Sequence, residues 1–224
     1  LTCIGLTMLA LFIREPDNHR PRAPMRLRDR LRELPLLLVD TSYRNFLVAQ
    51  LLITAGRVAM PFCVLYAGNI MHLDGKALGL FSLAFLGADT VSNLVWGALG
   101  DRKGFRLVFL AANAIWLIGF GLMLAADGKV GFVAGFIALG AAMSGYSLSQ
   151  QTLVLEFGNR EDTPMRLALS TTAETSVAAI GPFIGGIVAS LYGFVPLIWL
   201  SIALLAASLF VMLLGVRDPR FDSQ

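Results

Sequence analysis

Long apolar runs separated by short polar joints dominate this chain. Windows of about 19 residues predict membrane spans at 44–68, 76–100, 105–126, 130–157, 164–192 and 194–216. At 1.5 Å per residue each is long enough to cross a hydrocarbon core of about 30 Å. The pattern therefore predicts an all-α integral membrane fold with six full transmembrane helices. Residues 1–13 are also apolar but too short to cross, and are expected to be the end of a preceding span cut by truncation. A signal peptide fits them less well, because the basic residues follow the apolar run instead of leading it. Residues 14–43 read as a basic linker and 217–224 as a short tail.

Composition and charge narrow the class. With 56% hydrophobic and 15% charged residues and a mean hydropathy of +0.71, the chain is too apolar for an ordinary soluble domain. Of its 18 Lys and Arg, all but Lys76, Lys129 and Arg57 fall within 14–44, 101–106, 157–166 and 217–224. The positive-inside rule makes those segments cytoplasmic, the C-terminus included. Topology thus accounts for the net charge of +3, and no nucleic acid is needed as a partner. Within the linker, Leu27, Leu31 and Leu34 fall on one helical face, and Arg26, Arg28, Arg30 and Arg32 occupy the rest. A short amphipathic helix ended by Pro35 is expected there, lying on the anionic cytoplasmic leaflet or serving only as a topology-fixing charge run.

Enzyme chemistry finds little support. Cys3 and Cys63 both lie in apolar runs, far apart, and suggest neither a disulfide framework nor a metal site. His19 and His72 fall on opposite sides of the membrane, no nucleophile–base spacing recurs, and no cofactor is implied.

One joint carries a signature. Between the second and third spans stand Gly97, Gly100, Asp101, Arg102, Gly104 and Arg106, in the spacing G-x-x-x-D-R-x-G-x-R. Gly97 and Gly100 let helix backbones approach closely, and Gly104 permits a turn with positive φ. This spacing resembles the loop signature of the major facilitator superfamily of secondary transporters, departing from it at Leu107, where a second basic residue is usual.

The resemblance covers nearly the whole chain and implies half of a facilitator fold. It corresponds to the C-terminal half of a twelve-helix protein, built from two inverted three-helix repeats, 44–126 and 130–216, with a missing N-terminal half as partner. It further implies alternating-access transport of a small-molecule substrate in a bacterial inner membrane, with Asp101 gating against a helix of the other half. Gly181, Pro182, Gly185 and Gly186 resemble the eleventh helix of many bacterial facilitators, where close packing permits rocking. Glu156 and Arg166 match positions where the family often carries Glu and Arg, and with Asp101 and Arg102 are expected to form a cytoplasmic charge network.

Polarity inside the spans suggests which helices line a pathway. Spans 105–126 and 194–216 have no ionisable residue in their interiors and read as lipid-facing. The other four carry Gln50, Thr54 and Arg57; Asp89 and Asn93; Ser144, Ser147, Gln150, Gln151 and Thr152; and Ser170, Thr171, Glu174 and Ser176. Arg57 and Asp89 fall roughly 20 Å, and Glu174 roughly 15 Å, from the starts of their spans, so the three are expected to meet near the midplane. Each buried charge costs about 2.5 to 3.5 kcal/mol on insertion scales, which argues against facing lipid.

Arg57 is then expected to bind an anionic group or pair with a carboxylate, while Asp89 or Glu174 exchanges a proton. Asp89 is the first choice, since it shares a face with Asn93 and Trp96. A static ion pair that fixes packing is the alternative. At the level of function the expectation is a secondary transporter, with efflux favoured over uptake by sparse cavity polarity and proton coupling by the midplane carboxylates. The alternative is a transport-incompetent sensor or scaffold on the same fold.

Overall fold

A computed structural model of the chain describes residue 37 and residues 39–157 and 162–216. The amphipathic linker helix, the partial first span, Cys3, His19 and the 217–224 tail lie outside these residues. The helices are α1 (Thr41–Gly56), α2 (Phe62–Ile70), α3 (Gly75–Lys103), α4 (Phe105–Ala125), α5 (Lys129–Glu156), α6 (Thr163–Tyr192) and α7 (Phe194–Gly215). A 3₁₀ turn, Arg57–Ala59, joins α1 to α2. Together Thr41–Ile70 make one span, and with the other five give, among the described residues, six helices long and apolar enough to cross a membrane. Their limits agree with the hydropathy windows to within about three residues.

Local chemistry sets the ends. Asp40 caps α1, its carboxylate accepting from the Ser42 and Tyr43 amides at 3.0 and 3.2 Å, and Asp74 does the same for α3 through Ala77 at 2.7 Å. The α3–α4 and α6–α7 joints are single glycines, Gly104 and Gly193, with φ of 90° and 86°. Such a conformation costs any residue with a Cβ, so both reversals need glycine. The joint between the second and third spans of each three-helix set is therefore built the same way.

Inside a membrane, helices gain little from leaving lipid, and close packing at small residues holds them together. α5 shows this best. A Cβ on its Gly140 would collide with the Phe85 backbone of α3, and one on Gly145 would come within 2.8 Å of the Trp96 ring. Tyr43, Phe46, Phe109 and Phe157 pack at one end of the bundle, and Tyr66, Phe81, Phe132 and Phe136 at the other.

Burial is uneven. The most apolar stretch of α5 is 50% buried, but that of α3 is 6% and that of α6 is 11%. α4 and α7, the two helices expected to face lipid, bury 44% and 33% of theirs within this half and keep exposed Ile118, Phe210, Leu213 and Leu214. Their polar residues point inward: Asn113 donates to the Leu205 carbonyl at 3.2 Å and Ser208 to that of Ala49 at 2.7 Å.

Candidate functional site

The first span breaks where its charge lies. Pro61 has no amide hydrogen to continue the helix, and the freed Arg57 carbonyl accepts instead from the Met60 amide at 2.9 Å. Broken backbone at membrane depth is tolerated only where protein or a water-lined cavity covers it. Here both do.

Arg57 reaches across to α6. Its guanidinium pairs with Glu174 Oε1 at 2.9 Å, each side chain being 15% exposed, and also donates to Thr54 Oγ1 at 3.3 Å. It lies over the Tyr146 ring, 4.6 Å from the centroid, with Trp116 at 5.6 Å. Tyr146, buried on α5, donates its hydroxyl to Glu174 Oε1 at 3.0 Å. The other carboxylate oxygen, Oε2, accepts from Gln50 Nε2 at 3.2 Å. Gln50 in turn donates to Gln150 at 2.6 Å and accepts from Ser170 at 2.7 Å. The result is one hydrogen-bonded network linking α1, α5 and α6, with the ion pair at its centre.

Beside the pair opens a cavity of about 620 Å³, within the roughly 300–1,000 Å³ usual for small-molecule sites. Arg57, Thr54 and Ser82 supply its polar side chains, and Met60, Phe81, Phe85, Phe136 and Met143 are among its apolar ones. Ala178 and Pro182 of α6 also line it. Because Pro182 lacks an amide hydrogen, the Ala178 carbonyl loses its helical donor at the cavity wall.

Of the residues singled out by sequence, Gln50, Thr54, Arg57, Gln150 and Glu174 come together. Asp89 does not join them: it is half-buried on α3, and its carboxylate has no hydrogen bond or ion pair among the described residues. Asn93 is exposed, whereas Trp96 is buried and donates to the Ala141 carbonyl at 2.8 Å, so Trp96 packs α3 on α5 and does not share an open face with Asp89. Gln151 is exposed, since adjacent residues on a helix diverge by about 100°. Tyr146 and Trp116 were not anticipated. Met143, Tyr146 and Gln150 do stand at i, i+3 and i+7, the one sequence signal that marks Tyr146.

Gly181 and Gly185 form a notch that seats Val58. A Cβ on either would lie 2.6 or 2.5 Å from a Val58 methyl, while Gly186 stands clear, 4.0 Å from Phe62. In the signature loop, Gly100 packs on the Phe105 ring, and Gly97 faces open space. Asp101 and Arg102 are exposed. Arg106 donates to the Met212 and Leu213 carbonyls at 3.4 and 3.0 Å, placing a cation at the C-terminal end of α7 where the helix dipole favours it.

Arg166 is 7% exposed and bonds to Asp40 at 3.0 Å, a partner not anticipated. It also lies over the Tyr43 ring, 4.8 Å from the centroid, and its carbonyl accepts from the Tyr43 hydroxyl at 2.8 Å. These bonds fasten the start of α6 to the start of α1. Glu156 is half-buried in the last turn of α5.

Six membrane-length helices among the described residues, four of them lining a cavity beside a largely buried ion pair, define a multi-pass membrane protein. The sequence pattern of the Major Facilitator Superfamily matches residues 46–224, and the chain belongs to that superfamily. It is 28% identical over 187 residues to Multidrug resistance protein MdtG of Escherichia coli strain 55989, covering 78% of this chain and 45% of the relative. The same protein from strains O1:K1 and K12 gives the same identity and coverage. The chain thus spans about half the length of the curated relatives it matches.

Proposed function

We propose that this chain is the C-terminal half of a secondary transporter that exports small lipophilic solutes from a bacterial cell by alternating access, coupled to protons. Its organisation on this reading is a membrane-associated linker at 14–43 and a six-helix bundle at 44–216, with the C-terminus cytoplasmic in the inner membrane. An N-terminal half covers the bare faces of α3 and α6 and closes the cavity. The relatives' name, multidrug resistance protein, fits a cavity whose walls are mostly apolar.

The observation that carries the coupling is the Arg57–Glu174 pair beside the cavity. With Glu174 ionised, Arg57 is held and the first span is tied to α6. Protonation of Glu174 removes the charge that holds Arg57, freeing the guanidinium to turn toward solute and loosening α6 from the broken span. Tyr146 and Gln50 keep the carboxyl in place through the exchange. Asp89, the first choice from sequence, takes second place on this reading because no described residue pairs with its carboxylate.

The test is transport by the intact protein in proteoliposomes, with a fluorescent lipophilic dye as solute. Glu174→Gln should abolish accumulation driven by a pH gradient and preserve dye counterflow. If it accumulates dye like the parent, the pair is a static packing feature. Loss of exchange as well as accumulation would make Glu174 a structural partner of Arg57 or a solute ligand.

A further inference from the structure

A second cavity, of about 290 Å³, lies between α1, α6 and α7. Ala55, Val177, Leu197 and Leu204 are among its walls, and Ser201 is its only polar lining residue among those described. Ser201 is 1% exposed, and its hydroxyl has no hydrogen-bond partner among the described residues. The exposed residues of its lining are Ile180 and Ile184 on α6 and Leu200 on α7, all apolar, and at Leu200 the crevice reaches a flank of α7 outside the faces assigned to the N-terminal half. Val58 belongs to this lining and also to that of the central cavity. With its methyls in the Gly181–Gly185 notch, it forms a partition between the two.

We propose that this crevice is a second ligand site, an antechamber that takes from the bilayer a lipophilic molecule carrying one hydrogen-bonding oxygen, a medium-chain alcohol being the simplest case. A plain hydrocarbon chain fills the apolar walls but leaves the buried Ser201 hydroxyl unpaired, an unfavourable outcome. A charged ligand finds no counter-charge in the lining. Phospholipid ester oxygens belong at the membrane surface, whereas Ser201 is roughly 10 Å along α7 from its first residue. One oxygen on a short apolar body satisfies both features. The antechamber role rests on the central cavity being the transport cavity; binding in the crevice does not.

The experiment is photolabelling of the intact protein in phosphatidylcholine vesicles with a diazirine-bearing octanol, compared with the corresponding octane, followed by peptide mapping. The octanol should label the segments around Val177 and Ser201 several-fold more than the octane, and excess octanol should compete it away. Ser201→Ala should erase the preference, and Ala55→Leu, which fills the crevice, should remove saturable labelling while the label on lipid-facing Phe210 persists. Val58→Ala should let label reach Met60 and Phe136 in the central cavity.

Equal labelling by the two probes, or a preference that survives Ser201→Ala, would reduce the crevice to a lipid-filled groove and overturn the proposal. Saturable labelling confined to the crevice in Val58→Ala would overturn the antechamber role. Glu174→Gln should leave the labelling intact. Loss of coupled transport with retained labelling therefore bears on the ion pair alone, and loss of labelling preference with normal transport bears on the crevice alone.

Discussion

α3 and α6 each carry one carboxylate within the membrane and each leave most of a face bare, yet the two acids live in different surroundings. Glu174 accepts from Arg57, Tyr146 and Gln50, which come from α5 and the broken first span. Asp89 has no such partners among the described residues. The acid that this half of the fold holds in place is the one whose role can be derived from it. Around Asp89, α3 instead presents exposed Thr90 and Asn93, and α6 likewise exposes Thr171, Thr172, Thr175 and Ser176 beside its network.

The contrast is broken most severely by removing one charge from the pair. Arg57→Met should lower stability by about 3 to 5 kcal/mol, because it strands a buried carboxylate, and the added change Glu174→Met should restore most of the loss. Thermal unfolding in detergent measures both. Asp89→Asn should shift the same transition by less than about 0.5 kcal/mol; a loss as large as that of Arg57→Met would reveal a partner for Asp89.

Glycines sharpen the comparison at an intermediate scale. Gly140→Ala, pressed against the Phe85 backbone, should cost about 1 to 3 kcal/mol. Gly97→Ala faces open space in this half and should be near neutral in stability. If an N-terminal half covers α3, Gly97→Trp should nonetheless impair transport by the intact protein while leaving expression unchanged. Normal dye transport by that variant would argue that nothing packs there.

Tyr146→Phe removes one hydrogen bond to Glu174 and keeps the ring beneath Arg57, so about 1 kcal/mol of stability should be lost. The smallest stability effect belongs to Asp101→Asn in the exposed signature loop. It should leave unfolding unchanged and slow transport if Asp101 gates against the other half; unaltered kinetics in vesicles would remove that role.

The spans were legible because a membrane helix reports its length directly in an apolar window. The break at Arg57 was not, although Pro61 was in plain view. Proline is tolerated in membrane helices, and the break depends on the Arg57 carbonyl finding the Met60 amide. Gln50, Thr54, Arg57 and Glu174 were legible as polar residues at a depth where polarity is costly. Their pairing was only half legible, since depth along a span says nothing of the direction a side chain takes: Asp89 was the first choice over Glu174. Asp40 read as a loop residue because its cap is local, while its bond to Arg166 spans 126 positions, beyond the reach of any periodicity. Tyr146 and Trp116 were not legible because their roles arise only where four helices converge.

The central claim is that the Arg57–Glu174 pair acts through exchange of a proton at residue 174. The most direct measurement is pH-gradient-driven dye accumulation, alongside counterflow, by the charge-swapped protein carrying Arg57→Glu and Glu174→Arg. A swapped pair keeps one attraction between the first span and α6 but puts an arginine, which does not release a proton, at position 174. Proton exchange at that position predicts folded protein with counterflow and no driven accumulation. Driven accumulation at the parent level would show that the exchanging carboxyl need not stand at position 174, and would contradict the account.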